Sequence, residues 1–515
     1  MIQNKLFVSM LAVGLLLTTP ALAADQVVKM TTAKSVGETI TLLVNQVSAG
    51  VTVDWGDGTT VAYAATDDDL LTIEGTVQGS EITLTAGSKL TTLVCAGNEL
   101  TALDVSEATN LRSLYCQNNQ LTELDIAALS KLTDLNVADN QISGLVIKAS
   151  TQPLLENLNI AGNGLKNVNG GSSSTFVLSL STLQQLNVTD NEMTALNLTG
   201  NTALDVLKCA GNSLTKLNLA KNSEISVIVA HDNAITAITM PTSTGAPNLR
   251  QVFVDNNSLS TLDLSESTSL STLSCENNEL TSVSLPTSTQ LYSMACGGNN
   301  LTFASLPGSS NMPTYISYTP QESEIDITSV LKKKSGIYYI PVATWSDRTD
   351  EDYLLDLTDQ AYDADGKKTI TFTWWGNNTG EDPAELTKAT ALNKTNDYFP
   401  LTGSSTYGMF SFFNEYDEVY CILTSDVYTD LEFKTTTFAV SDPSTVGIAA
   451  VKTTKAGLNI AAGKRQITLS AQDDTPVNIY STNGKLVWKG TVNSSATTID
   501  LPSGVYVVGG QKVVL

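Results

Sequence analysis

The sequence predicts an all-β protein built around a solenoid of about ten 21-residue units, with little or no helix and with β-sandwich domains flanking it. Three observations predict this. Between Leu90 and Leu301 one pattern recurs ten times, L-x-x-L-x-(C/V/I/A)-x-x-N-x-(L/I/M). Its asparagines are Asn98, Asn119, Asn140, Asn163, Asn191, Asn212, Asn233, Asn257, Asn278 and Asn299, spaced 21, 21, 23, 28, 21, 21, 24, 21 and 21 residues apart. On both sides of the repeats, Val-, Thr- and Ile-rich runs alternate with Gly, Asp and Pro turns.

The chain divides into 1–24, 25–88, 89–307, 308–444 and 445–515. Residues 1–24 form a signal peptide: Lys5 is the positive flank, Leu6 to Leu17 the apolar core and Ala21-Leu22-Ala23 the cleavage site. No apolar stretch long enough to cross a membrane follows, so the mature protein is expected to be exported without a helical anchor. Residues 25–88 are a small β cap over the first repeat, whose apolar edge would otherwise be bare. Its V-D-W-G-D-G-T turn (Val53–Thr59) reads as an Asp-Gly hairpin in preference to a calcium site at Asp54 and Asp57.

In one repeat, Leu93 and Cys95 are two apart, so both face inward from a short strand. Asn98 ends that strand, with its amide available to backbone groups the turn leaves free, and stacked units make a ladder of such amides. The following L-T-x-L-D-(L/V)-S half lacks helical spacing and should be a second extended segment on the convex side. At about 4.8 Å per rung the stack is roughly 45–50 Å long. The surplus residues after Asn140, Asn163 and Asn233, including Val168–Thr175, bulge as loops.

Six cysteines in an exported chain suggest disulfides, but five of them (Cys95, Cys116, Cys209, Cys275, Cys296) share one column with Val137, Ile160, Val188, Ala230 and Val254. A column that takes Cys, Val, Ile or Ala is a small buried apolar site, so reduced core thiols are expected. Cys421 lies in an apolar strand and reads the same way.

Residues 308–444 carry the runs Thr369–Trp375, G-M-F-S-F-F and E-V-Y-C-I-L-T, which make a second β domain, a sandwich. Asp363-Ala-Asp365-Gly366 begins like a calcium loop but lacks its later acidic ligands, so a plain turn is expected. Trp374 and Trp375 point to opposite faces, one to the core and one to the edge, where it can meet a sugar.

The repeats resemble the leucine-rich repeats of internalin-like bacterial surface proteins, which have a 21-residue, cysteine-containing unit. That resemblance implies a parallel-sheet horseshoe or rod that binds host proteins or glycans. The W-G-D-G-T turn looks like that of PKD-like β modules, and 308–444 resembles an uncharacterised β domain that follows such repeats. Val477–Val487 (V-N-I-Y-S-T-N-G-K-L-V), Ile499–Val508 and the terminal K-V-V-L look like a C-terminal sorting domain of the type IX secretion system of Bacteroidota. Its final hairpin, G-G-Q, is shorter than in many relatives. The implied fate is removal of this domain at the outer membrane, with the cargo kept at the cell surface.

The net charge of −24 repels phosphate backbones and anionic lipid, which argues against nucleic-acid or bare-membrane partners. Catalysis has little to work with. The one histidine, His231, sits in a repeat loop, and no phosphate loop or histidine metal cluster exists. The chain therefore reads as a non-enzyme without cofactor or metal, a monomer that binds a host or neighbouring-cell surface protein. A glycan-binding module or a ligand-free stalk is the alternative. Binding residues are expected in the outward column just before the cysteine position, with Tyr115 and Phe253 first and Lys208, Arg112 and His231 behind them.

Overall fold

The computed structural model describes residues 25–45, 50–64, 70–166, 175–241, 248–287, 291–308, 310–321, 324–334, 337–378, 380–390, 393–394, 396–442, 458–463, 466–481, 486–501, 505–508 and 511–514. The signal-peptide segment, most of the Val168–Thr175 insertion and residues 482–485 within the Val477–Val487 motif lie outside them. Among the described residues helix is confined to single 3-10 turns at Thr328–Val330, Glu351–Tyr353 and Thr358–Gln360. No helix among the described residues is long and apolar enough to cross a membrane. The chain forms two compact units, the first reaching Cys275 and the second holding Glu276–Ser284 and nearly all that follows residue 290.

In the first unit, eight parallel strand pairs keep strict register. Leu93, Leu114, Leu135, Leu158, Leu186, Leu207, Ile228, Val252 and Leu273 lie side by side on successive strands. Each is a central residue of three, such as Ser113–Tyr115, with its side chain buried and its neighbours facing out. Alternation of period two produces this inward line. In the second unit Met294 pairs with Ile316 in the same parallel manner.

The asparagines form the expected ladder. Asn140 donates through Nδ2 to the carbonyls of Val137 in its own turn and Cys116 in the preceding one, at 3.1 and 3.0 Å. Its Oδ1 accepts from the Leu121 amide at 3.0 Å. Asn119, Asn163 and Asn191 repeat the scheme. One side chain thus satisfies polar backbone on two rungs, groups that would cost about 1–3 kcal/mol each if buried without a partner.

A second column stands beside the ladder. The residue before each asparagine is Gly97, Asn118, Asp139, Gly162, Asp190, Gly211, Asp232, Asn256, Asn277 or Gly298, and all ten have a positive φ of 52 to 69°. Only Gly, Asn and Asp enter that left-handed region readily, and these ten positions hold nothing else.

The convex half is extended but only intermittently a strand. Lys216–Asn218 pairs with Ala237–Thr239, whereas 121–126 and 142–147 have no strand. Bond length follows strand pairing along this half: the Ser143 amide reaches the Thr122 carbonyl at 3.4 Å where no strand forms, against 3.0 Å from Thr236 to Thr215 beside the paired strands. The L-D-x-S turns are fixed instead by side chains, Asp104 Oδ1 accepting from the Ser106 amide and Asp263 Oδ1 from that of Ser265, both at 3.0 Å. Hydrogen bonding from the hydroxyls of Ser106 and Ser265, and then from these amides, holds both carboxyls below their ordinary range.

The N-terminal cap supplies counterfeit rungs. Thr39–Asn45 lies antiparallel to Thr92–Val94 and extends the concave sheet, while Leu100–Asp104 joins the cap's own sheet through Gln26–Thr32. Asn45 Oδ1 accepts from the amides of Thr91 and Thr92 at 2.7 and 2.9 Å, as a preceding repeat's backbone would. Asn98 finds its missing neighbour in Thr41, exchanging two bonds of 2.8 and 3.1 Å with it. Trp55 is the cap's core: a Cβ at Gly75 would fall inside its ring. Asp54 Oδ1 accepts from Gly56 and Gly58, so the W-G-D-G-T segment is a carboxylate-pinned turn.

In the second unit the 308–444 region has two sheets. The larger centres on Tyr416–Ser425 between Ile370–Asn377 and Phe438–Ser441, and the smaller comprises Leu355–Asp356, Met409–Phe412 and Tyr398–Pro400. Trp374 fills the core against Phe410 and Phe412, with ring centroids 5.1 and 5.0 Å away, while Trp375 is half-buried. Asp363 Oδ1 takes the amides of Asp365 and Lys367, which makes D-A-D-G a turn. The C-terminal segment forms two antiparallel sheets, Leu458–Gly463/Gln466–Ala471/Thr497–Asp500 and Leu486–Val492/Thr475–Ser481/Val505–Val508/Gln511–Val514, around Ile467, Leu469, Ile479 and Val508.

All six cysteines are buried and unbridged. Burial pushes the thiols of Cys95 and Cys209 up to about 12.

Candidate binding surface

The outward residues of the concave strands form two columns. The first runs Thr92, Ser113, Asp134, Asn157, Gln185, Val206, Val227, Gln251 and Thr272. The second runs Val94, Tyr115, Asn136, Asn159, Asn187, Lys208, Val229, Phe253 and Ser274. Register alone makes these columns, because every inward leucine fixes its two neighbours outward.

The face changes character along its length. From Tyr115 to Lys208 it is polar and encloses a shallow concavity of about 350 Å³ lined by Asp134, Asn136, Asn157, Asn159, Gln185 and Asn187 among others. Asp134 accepts from Asn157 Nδ2 at 2.7 Å and from Thr133 Oγ1 at 2.6 Å, so its charge is well engaged. Burial, and secondarily the Asp134 carboxylate, holds the Tyr115 phenol above its ordinary range. Beyond Lys208 the face turns apolar: Val206, Val227, Val229 and Phe253, all half-buried, sit on three adjoining strands.

The five residues singled out from sequence do not form one patch. Tyr115, Lys208 and Phe253 share the second column, but only Tyr115 and Lys208 line the polar concavity. Phe253 lies two rungs past Lys208, separated from it by Val229. Arg112 is exposed on the edge that precedes the strands, where its carbonyl takes the amides of Thr133 and Asp134. His231 is on the opposite edge, half-buried, with Nδ1 2.6 Å from Asp232 Oδ2. That bond, with a second from Asn256, lowers the Asp232 carboxyl and explains His231 as part of the turn.

Sequence reasoning missed the valines that surround Phe253 and the amide row on the strands that precede them. The signal was present in the same two columns, since Val206, Val227 and Val229 alternate with buried Leu207 and Ile228. Among the described residues no cluster of three or more His, Cys, Asp or Glu side chains is arranged to hold a metal.

A family model described as leucine-rich repeats (2 copies) matches residues 88–128 and 109–147, the first three turns of this stack. The solenoid is a leucine-rich-repeat fold. Such leucine-rich-repeat solenoids present a curved sheet and typically act as protein-interaction modules rather than enzymes. No curated protein matches the chain. Among solved structures, the functional domain of InlJ from Listeria monocytogenes, described as including a cysteine ladder, is 19% identical, with a TM-score of 0.33 over 69% of this chain and 92% of that one. The internalin InlF of the same organism is 18% identical over 46% and 84% of the two chains, with a TM-score of 0.30. A plant peptide hormone receptor, RGFR1 in complex with RGF2, is 20% identical over 43% and 38%, with a TM-score of 0.37.

Proposed function

We propose that this protein is exported to the bacterial cell surface and binds a protein of a host or neighbouring cell through its concave leucine-rich-repeat face. One observation carries the reading: Phe253, Val229, Val227 and Val206 form a half-exposed apolar group rimmed by Lys208 and Gln251 on a rigid sheet. Protein hot spots have this anatomy, an aromatic anchor with apolar neighbours and a polar rim. Export is supported by the Lys5, Leu6–Leu17 and Ala21–Ala23 pattern, and type IX sorting by the Val477–Val487 and Ile499–Val508 motifs.

Two measurements test this. Mass spectrometry of the mature protein from native cells, with and without surface proteolysis, should find a start near Ala24 or Asp25, loss of roughly the last 70 residues and shaving from intact cells. Retention of Leu515 in a shielded protein would sink surface sorting. Binding of the mature chain to immobilised cell-surface and matrix proteins should be saturable, and Phe253→Ser should weaken it by about tenfold or more. Equal binding by Phe253→Ser and Tyr115→Ala variants would remove the concave face from the interaction.

A further inference from the structure

The polar half of the concave face has a hydrogen-bonding pattern of its own. Asn136, Asn159 and Asn187 occupy the same column on successive strands. Each Oδ1 is tied to the amide two residues on, Ala138 at 3.1 Å, Ala161 at 3.2 Å and Thr189 at 3.1 Å. That bond fixes the side chain and turns each Nδ2 outward, where it has no partner among the described residues. Lys208 continues the row, its ammonium likewise without an ion pair among the described residues, and Tyr115 begins it. Beside this row of donors, the other column offers acceptors. Asn157 spends its Nδ2 on Asp134 and leaves Oδ1 free, and the Gln185 amide is exposed and unengaged among the described residues.

We infer that this concavity is a subsite for a neutral, linear oligosaccharide lying along the solenoid axis from Tyr115 to Lys208. A sugar hydroxyl both donates and accepts, so it is satisfied only where donors and acceptors stand side by side, as these two columns do. An extended peptide fits poorly, because its same-side carbonyls recur at about 6.6–6.8 Å whereas the amides recur at about 4.8 Å. A polyanion fits poorly too. Lys208 is the only cation lining the concavity and Asp134 lines it too, Arg112 on its edge is outnumbered by Glu156 and Asp205, and the whole chain carries −24. Five rungs span four intervals, about 19 Å, room for roughly four sugar rings, with the half-buried Tyr115 ring available to stack on the terminal one.

This subsite shares Val206 and Lys208 with the apolar group around Phe253 but not Phe253 itself or the amide row, so variants at those residues make the two readings fail separately. The test is calorimetric titration of the mature protein with neutral hexasaccharides (cello-, manno-, xylo-, malto-, laminari- and chitohexaose) and, in parallel, with hexaglutamate and a galacturonan hexamer. Saturable binding of at least one neutral sugar is expected. The N136A/N159A/N187A triple variant should weaken it by about tenfold or more while staying folded at the titration temperature, with a modestly lowered unfolding midpoint from the three lost amide bonds, and Phe253→Ser should leave it intact. Silence of all six neutral sugars at millimolar concentration overturns the inference, as does sugar binding that survives the triple variant. Binding of the acidic probes alone would show that the amide row reads carboxylates, and overturns it equally.

Discussion

Two columns of the solenoid, four residues apart in each repeat, behave in opposite ways. The closing column is asparagine ten times without exception, while the outward column reads Val94, Tyr115, Asn136, Asn159, Asn187, Lys208, Val229, Phe253, Ser274 and Ala295. The first is buried in eight of the ten repeats, half-buried at Asn212 and Asn233, and bonded to backbone; the second, in the first unit, faces solvent from the concave sheet. Uniformity marks where the backbone dictates the residue, and variety marks where the fold leaves it free for recognition.

The sharpest way to break this comparison is to remove a closing asparagine. Asn140→Ala strands the Leu121 amide and leaves the Val137 and Cys116 carbonyls with only Asn163 and Asn119 as side-chain donors, and should cost about 2–3 kcal/mol in a denaturant titration. Next in size is the left-handed column. Asn118→Val, at a φ of 58°, should cost about 1–2 kcal/mol, while Asn118→Gly should be close to neutral. Cys116→Val tests whether the thiol is only a filler, and should change stability by less than about 1.5 kcal/mol. The smallest effect belongs to the outward column: Asn159→Ala removes one part-buried bond from the Ala161 amide and should cost about 0.5–1 kcal/mol. A cost there as large as that of Asn140→Ala would erase the distinction between the columns.

The thiols add a pH dependence of definite sign. Folded Cys95, Cys209 and Cys296 stay protonated up to about 12, whereas unfolded thiols ionise from their ordinary value of 9.0. Their contribution to stability is complete below that ordinary value and is lost as pH rises from about 9 toward 12. Unfolding midpoints should fall over this alkaline range, less steeply for Cys209→Val. Thiol reagents should report no reactive cysteine in the native protein and six after denaturation.

The leucines, cysteines and asparagines were legible in the sequence because each obeys a fixed period, and period is what a single chain displays. The left-handed column was equally legible in principle: Gly97, Asn118, Asp139 and their seven counterparts are drawn from only three residue types. The cap was not. Asn45 and Thr41 imitate a repeat through antiparallel pairing, which leaves no periodic trace. The candidate surface was half legible. Outward positions follow from alternation, but the division into an amide half and an apolar half depends on which rungs become neighbours after loops of unequal length are absorbed.

Those loops point to a rule for building with this chain. Intervals of 23, 28 and 24 residues leave the ladder unbroken, since Asn163 still reaches Val137 and Asn191 still reaches Ile160 at 3.0 Å. Each asparagine bonds backward to the turn before it, so the stack has a grammar with a direction. A whole unit can be spliced between Asn119 and Asn140 and find both of its neighbours ready. A unit placed ahead of Asn98 meets Thr41 instead, and the sentence cannot be extended from its first word.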